Sequence, residues 1–169
     1  MSNSPLPIII TGTGDIIPIL SQQIFVQNLL DAPTVHIFRE LFSGTIDTDA
    51  THTLNIALSF YFNNNPNLSF NITTLSVNLN RAITHRPFWA EVRTSAVIAG
   101  TSASLFSTIL FSETTNMGNH SATAWLQGND VSVNINGLSG ISLVTSIQWF
   151  DSSSLSNTFR VTQLYSDFT

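Results

Sequence analysis

The stretch THTLNIALSFYF, residues 51–62, decides how the chain is read. Leu54, Ile56, Leu58, Phe60 and Phe62 fall on one parity; Thr53, Asn55, Ala57, Ser59 and Tyr61 fall on the other. A period of two over this length marks a strand with one face on a core. The next residues, NNNPN (63–67), are a turn signal, because Asn and Pro suit turn backbones and interrupt ladders. Then comes LSFNITTLSVNLN (68–80), with Leu68, Phe70 and Ile72 in phase, followed by Leu75, Val77 and Leu79. The parity changes around Thr73 and Thr74, which predicts a bulge or bend there.

Working outward, the same alternation returns in VHIFRELF (35–42) and in PFWAEVRTSAVIAG (87–100), through Phe88, Ala90, Val92, Thr94 and Ala96. ASLFSTILF (103–111) reads as a short, largely buried strand; SATAWLQ, VSVNIN, ISLVTSIQWF and TFRVTQLY complete the series. About nine strands separated by Ser, Asn, Gly and Thr turns predict an all-β chain. The expected fold is a single antiparallel β-sandwich, a jelly roll of about eight strands plus an N-terminal arm. No amphipathic helix of useful length separates the strands, which argues against a parallel α/β sheet. Residues 35–169 form the expected jelly-roll β-sandwich domain and residues 1–34 the arm or extension. That first segment is apolar but punctuated by Pro and Gly. It reads either as an edge strand with a short helix or loop on its own sandwich, or as an arm docked on a neighbouring subunit.

With 169 residues the chain can bury a proper core as one domain. Only 9% of it is charged, far below the roughly 25% of ordinary soluble domains. All five basic residues are arginine (Arg39, Arg81, Arg86, Arg93, Arg160), and the formal net charge is −5. Ser, Thr and Asn make up about a third of the chain. They keep hydrogen-bonding capacity without the long, strongly hydrated side chains that resist burial at interface cores. Such a surface suits a protein that buries much of its exterior against copies of itself. The acidic balance and the lack of lysine argue against nucleic-acid binding, which needs cations to displace condensed counterions. The N-terminal run lacks a basic start and is broken by Gly12, Gly14 and Pro18, so it reads as neither a signal peptide nor a membrane span. With no cysteine, neither disulfides nor cysteine–metal chemistry holds the fold, and the redox compartment stays open.

Reaction chemistry finds little support in the motifs. His36, His52, His85 and His120 lie in separate segments without metal-ligand spacing. TGTGD (11–15) lacks the third glycine and the helix of a dinucleotide loop and reads as a turn. Asp47 and Asp49, in an expected loop, could offer oxygens to Ca²⁺ but lack the glycine and closing glutamate of an EF-hand. The serines after Asp151 have no base implied beside them. Three glycosylation sequons, at Asn67, Asn71 and Asn119, are no more than this composition produces by chance. The expectation is no enzyme, no cofactor and no metal.

The aromatic pairs say more. Neighbouring residues on a strand point to opposite faces, so one ring of Phe88–Trp89 and one of Trp149–Phe150 must leave the sandwich interior. It can meet another subunit, a loop of its own chain or a sugar. Trp89, Arg93, Trp149 and Phe150 are therefore candidates for a subunit interface, and Trp125 and Trp149 for stacking on a ligand.

The C-terminal run VSVNINGLSGISLVTSIQWFDSSSLSNTFRVTQLYSDF (131–168) resembles the closing strands of jelly-roll virion proteins. There, a strand ending in a Trp pair, a loop of small residues with an Asn and a last strand close the sandwich. LSVNLNRAITHRPFWAEVRTSAVIAGTSASLFSTILF (75–111) is similar to the middle of such domains, which include spike heads related to tumour-necrosis-factor-like jelly rolls. The resemblance covers roughly residues 44–168 and rests on pattern. It implies a structural protein of the virion surface, a trimer if a spike head and a pentamer if a vertex protein, with itself and other virion proteins as partners. One departure matters: coat proteins that package RNA carry a basic arm, and this chain has none. The expectation is thus a vertex, spike, fibre-head or decoration subunit, extracellular or on the virion, with no nucleic-acid partner and no membrane insertion. A lectin-like module binding a host glycan or receptor is the alternative, and a bacterial surface-fibre or spore-coat subunit a further one.

Overall fold

The fold is described from a computed structural model, over all residues except 1, 4, 5, 13, 26–34, 64, 66, 81, 100, 117–120, 151–155 and 169. The chain runs through β1 (Ser2–Asn3), β2 (Ile8–Thr11), β3 (Ile17–Phe25), β4 (Val35–Thr48), β5 (Thr51–Phe62) and β6 (Ser69–Asn80). It continues through β7 (Ile83–Ala99), β8 (Ser102–Asn116), β9 (Ser121–Asn134), β10 (Gly140–Trp149) and β11 (Thr158–Phe168). No helix occurs among the described residues.

The strands form two antiparallel sheets packed as a sandwich. The smaller has the order β1-β3-β10-β5-β6 and the larger β2-β11-β4-β7-β8-β9. The last two strands are inserted among the earliest, β10 between β3 and β5 and β11 between β2 and β4, while β5–β6, β7–β8 and β8–β9 are sequential neighbours. Each of the last two strands therefore lies beside an early one, β10 beside β3 and β11 beside β2, as in a wrapped jelly-roll ribbon.

Local sequence explains the elements. β5 buries His52, Leu54, Ile56, Leu58 and Phe60 at every second position. β6 pairs with it through Leu58↔Thr73 and then Ser59↔Asn71, leaving Ile72 as the extra residue of a bulge. The bulge lets Ile72 and Leu75, of opposite parity, both reach the core. Its exposed carbonyl is satisfied by Asn129, whose Nδ2 donates to Ile72 O at 2.7 Å. SATAWLQ and VSVNIN, expected as two strands, are one: β9 stays paired with β8 through Thr108↔Gly128 and Phe106↔Asp130.

Residues 8–25 of the N-terminal segment lie on their own sandwich. β2 pairs with β11 and β3 with β10, and Ile8, Ile10 and Ile19 enter the core. Residues 26–34, the rest of the expected arm, lie outside the described residues.

Between the sheets, Phe88 stacks on Phe159 (centroids 4.2 Å) and Phe111 (5.5 Å), and Phe42 meets Phe88 edge-on at 6.3 Å. Each such buried ring is worth roughly 1.5–3 kcal/mol of transfer free energy. β4 and β11 approach so closely that a Cβ on Gly44 would lie 1.8 Å from the Arg160 carbonyl oxygen. That contact sits beside the register shift between Val161 and Gln163, so only glycine fits.

Candidate functional site

Since one parity of each strand fills the core, the other parity must compose an outer face. On the larger sheet the pairing fixes that face as a grid. Tyr165, Leu41, Glu91, Leu110 and Leu126 form one row across β11, β4, β7, β8 and β9. Gln163, Ser43 and Trp89 lie in the row beside it, and Asp167, Arg39, Arg93 and Thr108 in the row on its other side. Beyond these stand Ile37, Ser95, Phe106 and Asp130, then Val35, Val97 and Ser104.

This face is open and apolar for its position. Trp89 is 46% exposed, Tyr165 56%, Phe106 57% and Leu126 67%, with Val35 and Val97 also exposed. Trp89 and Tyr165 stand at diagonal corners of a hollow of about 430 Å³ that also touches Leu41. Its polar rim is fixed, Ser43 Oγ donating to Gln163 Oε1 at 2.9 Å. Five charged residues stand in the grid, Asp167, Arg39, Arg93, Glu91 and Asp130, and one pair cancels: Arg39 Nε donates to Glu91 Oε1 at 2.8 Å. Arg93 is directly opposite Arg39 and has no ion-pair partner among the described residues. Like charges in that position repel, so Arg93 gains from a carboxylate brought by another molecule.

The two aromatic pairs do split between faces. Phe88 is buried and Trp89 exposed; Trp149 is fully buried and Phe150 is 67% exposed. Trp149 therefore offers no surface to a ligand or a subunit and is a core residue. Its Nε1 donates to Ile10 O at 3.3 Å, and the ring of His52 meets it edge-on. Phe150 follows the end of β10, on the other sheet from Trp89. Trp125 turns inward on β9 against Phe111 (5.7 Å), half-buried at the margin of the core. Of the candidates, only Trp89 and Arg93 share a face.

Sequence reasoning missed Tyr165, Leu126, Phe106 and the valines. ASLFSTILF was expected to be largely buried, yet it alternates: Leu105, Ser107, Ile109 and Phe111 face in while Phe106 faces out. The signal was present in its parity, hidden by apolar residues on both sides.

The polar candidates make hydrogen bonds within the chain. Asp47 lies within β4 rather than in a loop, and its carboxylate accepts from His85 N (2.7 Å) and Thr158 Oγ1 (3.0 Å). Asp49 accepts from His52 Nε2 (2.8 Å) and from Ser156 Oγ (2.7 Å), with Asn157 Oδ1 accepting from Asp49 N. These bonds pin the β4–β5 turn to the start of β11. Ser156 donates to the carboxylate and not to the imidazole, so His52 is not placed to take its proton. His120 and the serines 152–154 lie outside the described residues. Glu40 was not foreseen: it points inward from β4, buried, accepting from Thr145 Oγ1 of the opposite sheet. Burial pushes its carboxyl up to about 7, the Thr145 hydroxyl offsetting part of the rise.

No family model, no curated protein and no solved structure matches this chain.

Proposed function

We propose that the chain is a non-enzymatic structural subunit that self-assembles through the outer face of its larger sheet, in a virion surface, vertex or spike-head setting. The observation that carries this reading is the open face holding the exposed large side chains Trp89, Tyr165, Phe106 and Leu126. At ~4.8 Å per strand and ~3.3 Å per residue, five strands and the eight residue steps between Val35 and Ser43 span roughly 24 by 26 Å. That is on the order of the 800 Å² per partner that a standard interface buries. The hollow between Trp89 and Tyr165 supplies the desolvated anchor that such interfaces concentrate their energy in. Assembly through this face would also offer Arg93 a neighbour's Asp130 or Asp167, whose own-chain copies share the face.

Sedimentation and light scattering of the purified protein test this reading. The expected result is a closed oligomer that dissociates on Trp89→Arg while the fold is retained. Electron microscopy adds the architecture: closed rings or shells accord with a virion component, and open filaments favour a bacterial surface fibre. A monomer at every concentration would refute assembly.

A further inference from the structure

We infer that the outer face of the smaller sheet carries a binding groove for a neutral oligosaccharide. The groove, of about 440 Å³, crosses from β10 over β5 to β6. Its floor is made of small residues: Ser146 is opposite Ala57, and Ser59 follows along β5. Tyr61 lines the same groove and provides an aromatic ring. This is a hollow produced by side-chain size on a regular sheet.

Three planar amides line it, and each is held at one end. Gln148 Nε2 donates to Gly14 O at 2.9 Å, which leaves its Oε1 to accept. Asn71 Nδ2 donates to Thr74 Oγ1 at 2.5 Å, which likewise leaves an acceptor. Asn55 Oδ1 accepts from Ser76 Oγ at 2.8 Å, which leaves its Nδ2 to donate. Fixed donors and acceptors lose little side-chain entropy when a ligand binds.

Among the described residues, no charged one lines the groove. Those residues therefore bring no cation for a phosphate or carboxylate and no carboxylate for a metal or an amine. An acyl chain would leave the amides unpaired, at a cost for each. A sugar ring fits what remains: hydroxyls that both donate and accept, and an apolar C–H face for the tyrosine ring. The volume holds a ligand of two or so rings. This groove lies on the sheet opposite the proposed assembly face, so assembly leaves it open and multiplies it, raising avidity. It stands or falls independently of self-assembly.

The test is an array of neutral and sialylated oligosaccharides probed with the intact protein, followed by calorimetric titration of the best binder. Tyr61→Ala and Ala57→Phe remove the ring and fill the floor; Trp89→Ala alters only the other face. We expect retention on neutral glycans, about tenfold or greater weakening in either groove variant that keeps the parent melting temperature, and unchanged per-site affinity in Trp89→Ala. Absence of binding across the array, binding confined to sialylated glycans, or affinity unchanged in a folded groove variant overturns the inference. Should one groove variant fail to fold, the other decides.

Discussion

The two outer faces of the sandwich solve the problem of exposure differently. On the smaller sheet, outward residues pair with each other: Thr53 Oγ1 donates to Asn78 Oδ1 at 3.0 Å and Ser76 Oγ to Asn55 Oδ1 at 2.8 Å. Such a lattice is satisfied in water, apart from the amide ends that the groove keeps for a ligand. On the larger sheet, Trp89, Tyr165, Phe106 and Leu126 have no such arrangement open to them. A chain this poor in charge can keep one face wet with hydroxyls and amides, but the apolar face is stabilised only by burial. That difference underlies both proposals, assembly on the one side and ligand recognition on the other.

The largest effect that would break the comparison acts through the β4–β11 contact. Gly44→Ala places a methyl carbon against the Arg160 backbone, which cannot move without displacing β11. A loss of about 4 kcal/mol or more, or no soluble protein, is expected in thermal and chemical unfolding. Stability near the parent value would show that the two strands separate more easily than the register implies.

The next effect is on assembly. Trp89→Ala should weaken association by about 2 kcal/mol or more per contact, roughly thirtyfold in dissociation constant by sedimentation. Asn78→Ala, on the other outer face, should leave it unchanged. Equal effects would erase the distinction between the faces.

Of similar size, but acting between the sheets, is the response to pH. Glu40 has its folded pKa raised from 4.5 to about 7. The folded state thus holds a proton that the unfolded state releases across this interval. Stability from this group is fully present below pH 4.5 and is lost as pH rises to about 7, by on the order of 3 kcal/mol. Urea unfolding at successive pH values should show that decline, and Glu40→Gln should flatten it. A Glu40→Gln profile parallel to the parent would remove Glu40 as its source.

The smallest effect belongs to the hydroxyl lattice. Thr53→Ala deletes one exposed hydrogen bond and should cost about 0.5 kcal/mol, read from the urea midpoint.

Much of this architecture is legible in the sequence because alternation is a local property. Leu54 to Phe60 declare their face without help, and the parity break at Thr73–Thr74 marks the bulge that leaves Ile72 over. The rule that neighbouring rings diverge also holds for Phe88–Trp89 and Trp149–Phe150, but it does not say which ring goes in. Trp149 goes in because it shares the parity of Ile141, Leu143 and Ile147, the residues by which β10 faces the core. The place of β10 between β3 and β5, by contrast, depends on pairing between residues roughly 80 to 130 positions apart, which no local pattern carries. The same holds for Glu40, whose burial follows from parity but whose partner Thr145 comes from the other sheet. The composition of the assembly face was equally hidden, since Tyr165, Trp89 and Leu126 are brought together only by the order β11-β4-β7-β8-β9.

The most direct test of the central claim is the solution mass of the parent protein and of Trp89→Ala, by light scattering across dilution and salt. The account predicts a closed oligomer for the parent, held over dilution and weakened only slightly by salt, which screens the Arg93 pairing but not the apolar anchors, and dissociation in the variant. A parent protein that is monomeric at every concentration, or a Trp89→Ala variant with the parent's mass and dilution profile, would contradict it.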